Sequence, residues 1–356
     1  MAWSTEAEPQ PPTTAGDRNL AIGAGPPTGW LSGALNGGHA YRDRVAVDSG
    51  SAAAFYATNH PHSSLAVWRE RLAAGEILRN GHPLHHDSPL RAGDHLIWHR
   101  PPWWEGAVPA NWRVVHEEGD LHVIDKPAGL PVLPAGGWLE HTALRLLERR
   151  HRHDPRGVPR PVHRLGRFTS GLLVCARQSA TRRWLSARLR ESTAALELHP
   201  QPTTGDPLGC LKVYRALLVP GGLPQTMGPG ETLTVDTSIG RRPHPRLGQI
   251  WCAAREARPG DLPARSVLTL LERGTEGDRV EVSIASGRPH QIRIHCAAIG
   301  APLRGDPLYL PGGLAREEAL PGDGGYQLRA ERMTLRRPDG SWLELAAGPG
   351  LEAMPG

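Results

Sequence analysis

Four segments carry residue types able to act on a nucleotide or another anion: VIDKPAGLPVLPAG (123–136), PVHRLGRFTSGLLVCAR (161–177), LKVYRALL (211–218) and ASGRPHQIRIHCAAIGAPLRGDPLY (285–309). In the first, a KPAG turn after a strand puts Lys126 at a loop, where its charge can meet a phosphate. An ordinary turn lysine is the equal alternative on that string alone. In the second, Thr169-Ser170-Gly171 ahead of an apolar strand offers a tight backbone approach and hydroxyl donors. In the last, Arg288, His290, Gln291 and Arg293 gather at the start of a helix. Its N-terminal N–H groups and the guanidinium groups suit an anion or a nucleotide edge. The plainer alternative is an arginine-capped helix.

The elements that must position these residues follow from hydrophobic period and turn chemistry. Residues 1–54, rich in Pro, Gly, Ala, Ser and Thr, read as a disordered or loosely packed tail. In 55–105, Leu65, Trp68 and Leu72 have helical spacing, Asn80-Gly81 is a hairpin signal, and Arg91–Asp94 is a turn before a strand at His95–His99. A helix followed by small strands, with Arg69, Arg71 and Arg79 nearby, suits a small basic module. Pro101-Pro102 opens a linker. Beyond Asn111 the sequence predicts a hairpin from Trp112–His116 and Leu121–Asp125, and a helix over Thr142–His151. A strand at Leu172–Ala176 and an arginine-rich helix at Ala180–Glu191 follow. Further strands are expected at Lys212–Val219, Ser266–Glu272, Arg279–Ser283, Gln327–Leu335 and Trp342–Leu345, with a helix at His290–Ile299. Leu196–Gly209 and Pro220–Glu231 read as loop insertions. Without a regular βαβ alternation, this is an α+β fold with a largely antiparallel sheet and flanking helices.

Composition narrows the function. Of 356 residues 39% are hydrophobic, enough for a packed core in about two domains. No apolar run approaches a membrane span. The opening MAWSTEAEPQPP is unlike a secretory signal. Cys175, Cys210, Cys252 and Cys296 stand far apart, which fits a reducing cytoplasm. Only Lys126 and Lys212 are lysines among 41 cationic residues, and the net charge is just +5. Between 145 and 190, however, thirteen arginines face two acids, Glu148 and Asp154. Such a field suits a docking polyanion, with Arg182, Arg183 and Arg188 among its contacts; a solvated basic helix face is the alternative. His60, His62, His82, His85 and His86 lack converging ligand spacing and read as exposed loop histidines, with no metal site. Trp103-Trp104 can stack on bases or anchor a linker.

The order and spacing of the four segments resemble the RluA-type RNA pseudouridine synthases from about Trp112 to Leu345. VDTSIGR (235–241) and Ala264–Leu271 fit the family's intermediate segments. Residues 55–105 resemble, more weakly, the small RNA-binding domain that often precedes that catalytic domain, here 111–350. The resemblance implies a pseudouridine-synthase-like fold. It also implies cofactor-free isomerisation of uridine in ribosomal or transfer RNA, by a cytoplasmic monomer with no membrane partner. In such enzymes the bond between uracil and ribose is broken, the base turns, and ring carbon 5 is joined to the sugar. The target base must first leave its stack for a pocket.

Site residues carry over one by one, with one departure. HRLG stands where the family has HRLD, so Gly166 takes the place of the catalytic aspartate. Glycine can neither attack nor accept a proton. Tyr214 matches the tyrosine that packs on the uracil and is implicated in proton removal, and Arg293 the arginine that pairs with the aspartate. Arg164 matches the arginine thought to help extrude the base. Lys126, Arg167, Arg182, Arg183, Arg288, His290 and Gln291 are the further RNA-contact candidates. A buried Arg293 without its aspartate needs another anion, with Asp236 and Asp306 the acids nearby in motif terms. The alternative function is an RNA-binding protein or RNA chaperone that kept the pocket and lost the chemistry.

Overall fold

The computed structural model describes residues 29–60, 62–198, 210–284, 286–337 and 339–348. The chain divides into two compact units. One runs to Val108 and takes in Pro134–His141 and His244–Gly248; the other holds the remainder.

The first unit is built around aromatic rings. Ser51 and Ser64 accept hydrogen bonds from Ala54 N and Val67 N, starting α1 (Ala52–Asn59) and α2 (Leu65–Ala73). The helices lie with a four-stranded antiparallel sheet in the order β1 (His39–Arg44), β4 (His95–Arg100), β2 (Ile77–Arg79), β3 (His82–Pro83). Asn80 and Gly81, both at positive φ, form the tight β2–β3 turn. Trp68 stacks on Tyr56 at 4.6 Å and meets Trp98 edge-on at 4.9 Å.

Several expectations for this region need correcting. Residues 39–54 are not a loose tail: β1 pairs with β4 along its whole length, and Val45, Ala52 and Ala53 are buried. Residues 1–28 lie outside the described residues. The arginines do not make a free basic face. Arg69 pairs with Asp87 and Arg79 with Asp94, while Arg71 lies 4.4 Å from both the Trp68 and Trp98 rings. His60 and His62 lie in the α1–α2 loop as expected but are half-buried rather than exposed, packing on Trp68 at 5.9 and 5.8 Å. His82, His85 and His86 are exposed. Trp103 anchors through Nε1 to Gly137 O, whereas Trp104 is 61% exposed.

The second unit is a ten-stranded, largely antiparallel sheet. Its main path runs β9 (Thr232–Val235), β10 (Ser266–Gly274), β11 (Gly277–Ile284), β8 (Cys210–Leu218), β12 (Leu328–Arg336), β7 (Thr169–Ala176), β6 (Leu121–Lys126), β5 (Arg113–Glu118). The edge strand β13 (Trp342–Ala346) adds to β12, and Arg160–Pro161 adds to β7. Helices α3 (Ala143–Arg150), α4 (Ser179–Leu198) and α5 (Gln291–Ala298) complete it. The expected hairpin, strands and helices all form, and 220–231 is a loop. Most of the other expected insertion, 199–209, lies outside the described residues.

The one parallel pairing, β7 with β12, explains the TSG string. Thr169 pairs with Leu328 and Gly171 with Ala330. Gly171 has φ 98°, and a Cβ there would overlap the Ala330 carbonyl. On the far side of β12, β8 carries a register shift between Val213 and Tyr214. Such bulges re-aim the next side chain. Among the described residues no helix is long and apolar enough to cross a membrane. Since Trp68 is fully buried, Trp68→Ala is expected to cost the first unit about 3–5 kcal/mol, read as a lower urea midpoint.

Candidate active site

Two loops are tied together by one lysine. Lys126 ends β6 with no exposure, and its Nζ donates to Pro127 O and Leu130 O at 2.8 Å and to Arg167 O at 3.0 Å. Burial, and secondarily the Arg167 charge, push its pKa down to about 7. Three carbonyls still match the three hydrogens of an ammonium. The phosphate contact expected of Lys126 is therefore incorrect: its donors are spent on backbone. Arg167 Nε adds a bond to Gly129 O, and Gly129 N returns one to Arg167 O.

His163 holds the next stretch. Val174 N donates to its Nε2 at 3.0 Å, which requires a neutral ring, and burial pushes its pKa down to about 4. Gly166 follows on an exposed turn closed by Thr169 N to Gly166 O. A Cβ built on Gly166 would overlap the Tyr326 hydroxyl and come 3.2 Å from Thr169 Oγ1. Tyr326 itself is 4% exposed, hydrogen-bonded to Thr169 Oγ1 at 3.3 Å and edge-on to Phe168 at 6.0 Å.

The Arg293 guanidinium lies 4.2 Å from the Tyr326 ring centroid. Its charge is answered by Asp306, through Nε–Oδ2 and Nη2–Oδ1 contacts of 2.7 Å each. Burial opposes the charge, but the Asp306 bond together with the electrostatic pull of Tyr326, Asp306 and Tyr309 raises the pKa. Asp306 Oδ1 also accepts from Leu308 N and Tyr309 N. The other acid considered, Asp236, pairs with Arg265 instead.

At the start of α5, His290 has φ 53°. Tyr309 Oη donates to Trp251 O, so it accepts from His290 Nδ1, at 2.7 Å. Burial, aided by the charges of Arg293 and Arg164, pushes the His290 pKa down to about 3. His290, one of the RNA-contact candidates, thus has its Nδ1 engaged by Tyr309 within the fold. Gln291 is also corrected: at 3% exposure it accepts from Ser286 Oγ and Arg288 N and donates to Arg265 O and Ser266 Oγ. Arg288 Nε donates to Pro263 O.

The remaining candidates divide. Half-buried Tyr214 packs, as Phe168 does, against the core cluster that includes Tyr326, and burial pushes its phenol up. Arg164 is exposed. Lys212, not among the expected site residues, is 7% exposed, and its Nζ lies 3.4 Å from where a Gly287 Cβ would stand. Only the rarity of lysine in this chain pointed to it.

Arg145, Arg156, Arg160 and Arg177 of the basic stretch are drawn into ion pairs. Glu148 takes Arg145 and Arg160; Asp154 takes Arg156 and Arg177, which also share Glu117. Arg182 is bound to the carbonyls of Ala176 and Arg177, closing the end of β7, which corrects its assignment as an RNA contact. Arg152 and Arg183 are exposed.

The sequence is similar to known proteins along most of its length. The sequence model described as RNA pseudouridylate synthase matches residues 120–298. An uncharacterized RNA pseudouridine synthase of Synechocystis is 39% identical over 281 residues, spanning 78% of this chain and 87% of that protein. RNA pseudouridine synthase 5 of Arabidopsis thaliana is 34% identical over 343 residues, 85% of this chain and 89% of its own. Ribosomal large subunit pseudouridine synthase D of Neisseria meningitidis is 30% identical over 292 residues, 79% of this chain and 70% of its own.

Three outcomes follow from the packing. Lys126→Met strands three buried carbonyls and is expected to lower unfolding free energy by about 2 kcal/mol or more in urea titrations. Gly166→Ala should cost about 1–3 kcal/mol by overpacking, and Tyr326→Phe in the same chain should relieve most of it. Burial holds His163 and His295 at pKa values of about 4. The unfolded chain then takes their protons first as the pH falls, so stability declines below a pH of about 6.5. His295→Gln should flatten that decline in thermal melts.

Proposed function

The chain belongs to the RNA pseudouridine synthase family, and from that premise we propose that it isomerises uridine to pseudouridine in structured RNA, taking a flipped-out nucleotide at the Gly166 turn. The observation that carries this reading is the gathering of Arg164, Arg293, His290 and Tyr326 around that turn. The charges of Arg164 and Arg293 both bear on His290, and Arg293 lies over Tyr326. The exposed Arg164 guanidinium beside that turn suits the phosphate of such a nucleotide, with the buried Arg293–Asp306 pair behind it.

Ribosomal or transfer RNA is the substrate in this reading. The Neisseria relative, named for the large ribosomal subunit, favours the ribosomal case. Isomerisation conserves every atom and the oxidation state, so the reaction calls for no cofactor. The protein acts as a cytoplasmic monomer. An RNA-binding role for the first unit rests on the resemblance of residues 55–105, because Arg69, Arg71 and Arg79 are engaged inside that unit. Phosphate contacts fall instead to exposed arginines such as Arg152, Arg164 and Arg183.

One observation favours a second reading. Gly166 offers no carboxylate at the position the family uses, which suits an RNA-binding protein that has lost turnover. A tritium-release assay on uridine-tritiated transcripts of ribosomal and transfer RNA separates the two. Release by the parent chain is the expected outcome; RNA binding without release selects the second reading, and the absence of binding overturns both. In filter-binding titrations, Arg152→Ser with Arg183→Ser should lower the salt slope by about one for each phosphate no longer neutralised. Arg182→Ser should instead lower stability and leave the slope unchanged.

A further inference from the structure

Gly166 is not a glycine that the backbone demands. Its φ lies outside the left-handed region, where Gly129, Gly157 and Gly171 are found. What excludes a side chain is space, and the atom occupying that space is the Tyr326 hydroxyl oxygen.

The neighbouring chain is shaped to deliver that oxygen. Gly325 has φ 133°, and a Cβ on Gly324 would overlap the Phe168 ring. Two successive glycines thus bring the strand leading into β12 against the Gly166 turn. A third, Gly305 at φ 76°, lets the Gly325 carbonyl approach closely. Thr169 Oγ1, hydrogen-bonded to Tyr326, and the Arg293 guanidinium over its ring fix the phenol.

Other oxygens in the cluster are already committed. Both carboxylate oxygens of Asp306 are engaged by Arg293, and Oδ1 also by two backbone N–H groups. Tyr309 Oη is held between His290 and Trp251. Tyr326 is the oxygen set at the position of the absent residue-166 side chain.

We propose that Tyr326 is the catalytic residue of this site, its phenol oxygen acting where the family's HRLD motif would place a carboxylate. The inference rests on the uridine-isomerising reading above. Tyrosine serves as a nucleophile at sugar carbons in other enzymes, and the chemistry balances here. Once its proton has passed to water, the Tyr326 oxygen bonds to ribose C1′ as the N1–C1′ bond breaks, and that electron pair leaves with the uracil ring as an anion. The ring turns, C5 bonds to C1′, and the C1′–O bond returns its pair to the phenolate. C5 then loses its hydrogen as a proton and N1 takes one from water. The Arg293 guanidinium over the ring and the Thr169 hydroxyl hold the phenol in place through the cycle.

The test is tritium release from 5-tritiated-uridine ribosomal and transfer RNA transcripts by the full chain and its Tyr326→Phe variant. Thermal melts and RNA filter binding run alongside. Tyr326→Phe keeps the ring and removes only the oxygen. Release is expected to fall by about 100-fold or more, with the melting temperature held and RNA affinity within about twofold of the parent. Undiminished release by Tyr326→Phe overturns the inference and leaves the function reading standing. No release by the parent chain overturns that reading and the inference with it. A fall caused by misfolding is separated by the double variant Gly166→Asp with Tyr326→Phe. It removes the overlapping oxygen and supplies a carboxylate beside Arg293, and is expected to regain at least tenfold over Tyr326→Phe. A double variant that folds, binds RNA and stays as inactive as Tyr326→Phe counts against Tyr326 standing in for that carboxylate.

Discussion

A guanidinium taken out of water needs an anion, and the Arg293–Asp306 pair meets that requirement at the centre of the site. Leaving one member of such a pair alone typically costs about 3–5 kcal/mol. Residue 166 is therefore released from the duty of balancing Arg293. The bidentate geometry fixes the guanidinium plane, and that plane lies over Tyr326. In this chain Arg293 is balanced from within the GDPLY segment and not from residue 166.

The same reasoning recasts the basic stretch. Thirteen arginines between 145 and 190 look like one positive field in the sequence. In three dimensions Glu117 comes from the β5 edge to join Arg156 and Arg177, and Glu148 serves Arg145 and Arg160. Glu117 adds one acid to the two of the stretch itself, so the field stays positive, and the pairing sorts held guanidinium groups from open ones. Exposed pairs add little stability, about 0–1 kcal/mol each. Their consequence here is to decide which arginines remain available to a polyanion.

Both lysines of this arginine-rich chain are buried. Lys126 shows the local reason: three carbonyls converge within 3.0 Å of one nitrogen. A compact ammonium satisfies that cage, whereas a planar guanidinium would not fit it. The lysine in the KPAG turn thus acts through the loops it joins, not through substrate.

The strand and helix pattern from 112 to 345 was legible because period and turn chemistry are local. Asn80-Gly81 marked its hairpin and TSG its close backbone approach for the same reason. The weakly patterned β1 was not legible, since its place depends on pairing with β4, more than fifty residues away. The four segments and their spacing identified the family and showed an acid missing at 166. They could not show which of Asp236 and Asp306 answers Arg293, that Lys126, His290 and Gln291 turn inward, or that Tyr326 fills the space beside Gly166. Those outcomes depend on which atoms meet across the chain, from the 13 residues separating Arg293 and Asp306 to the 160 separating Gly166 and Tyr326. Side-chain volume and buried charge are settled only by such meetings, so the sequence alone determined the parts and their order, and the tertiary structure decided which of them are buried against one another and which stay open to solvent.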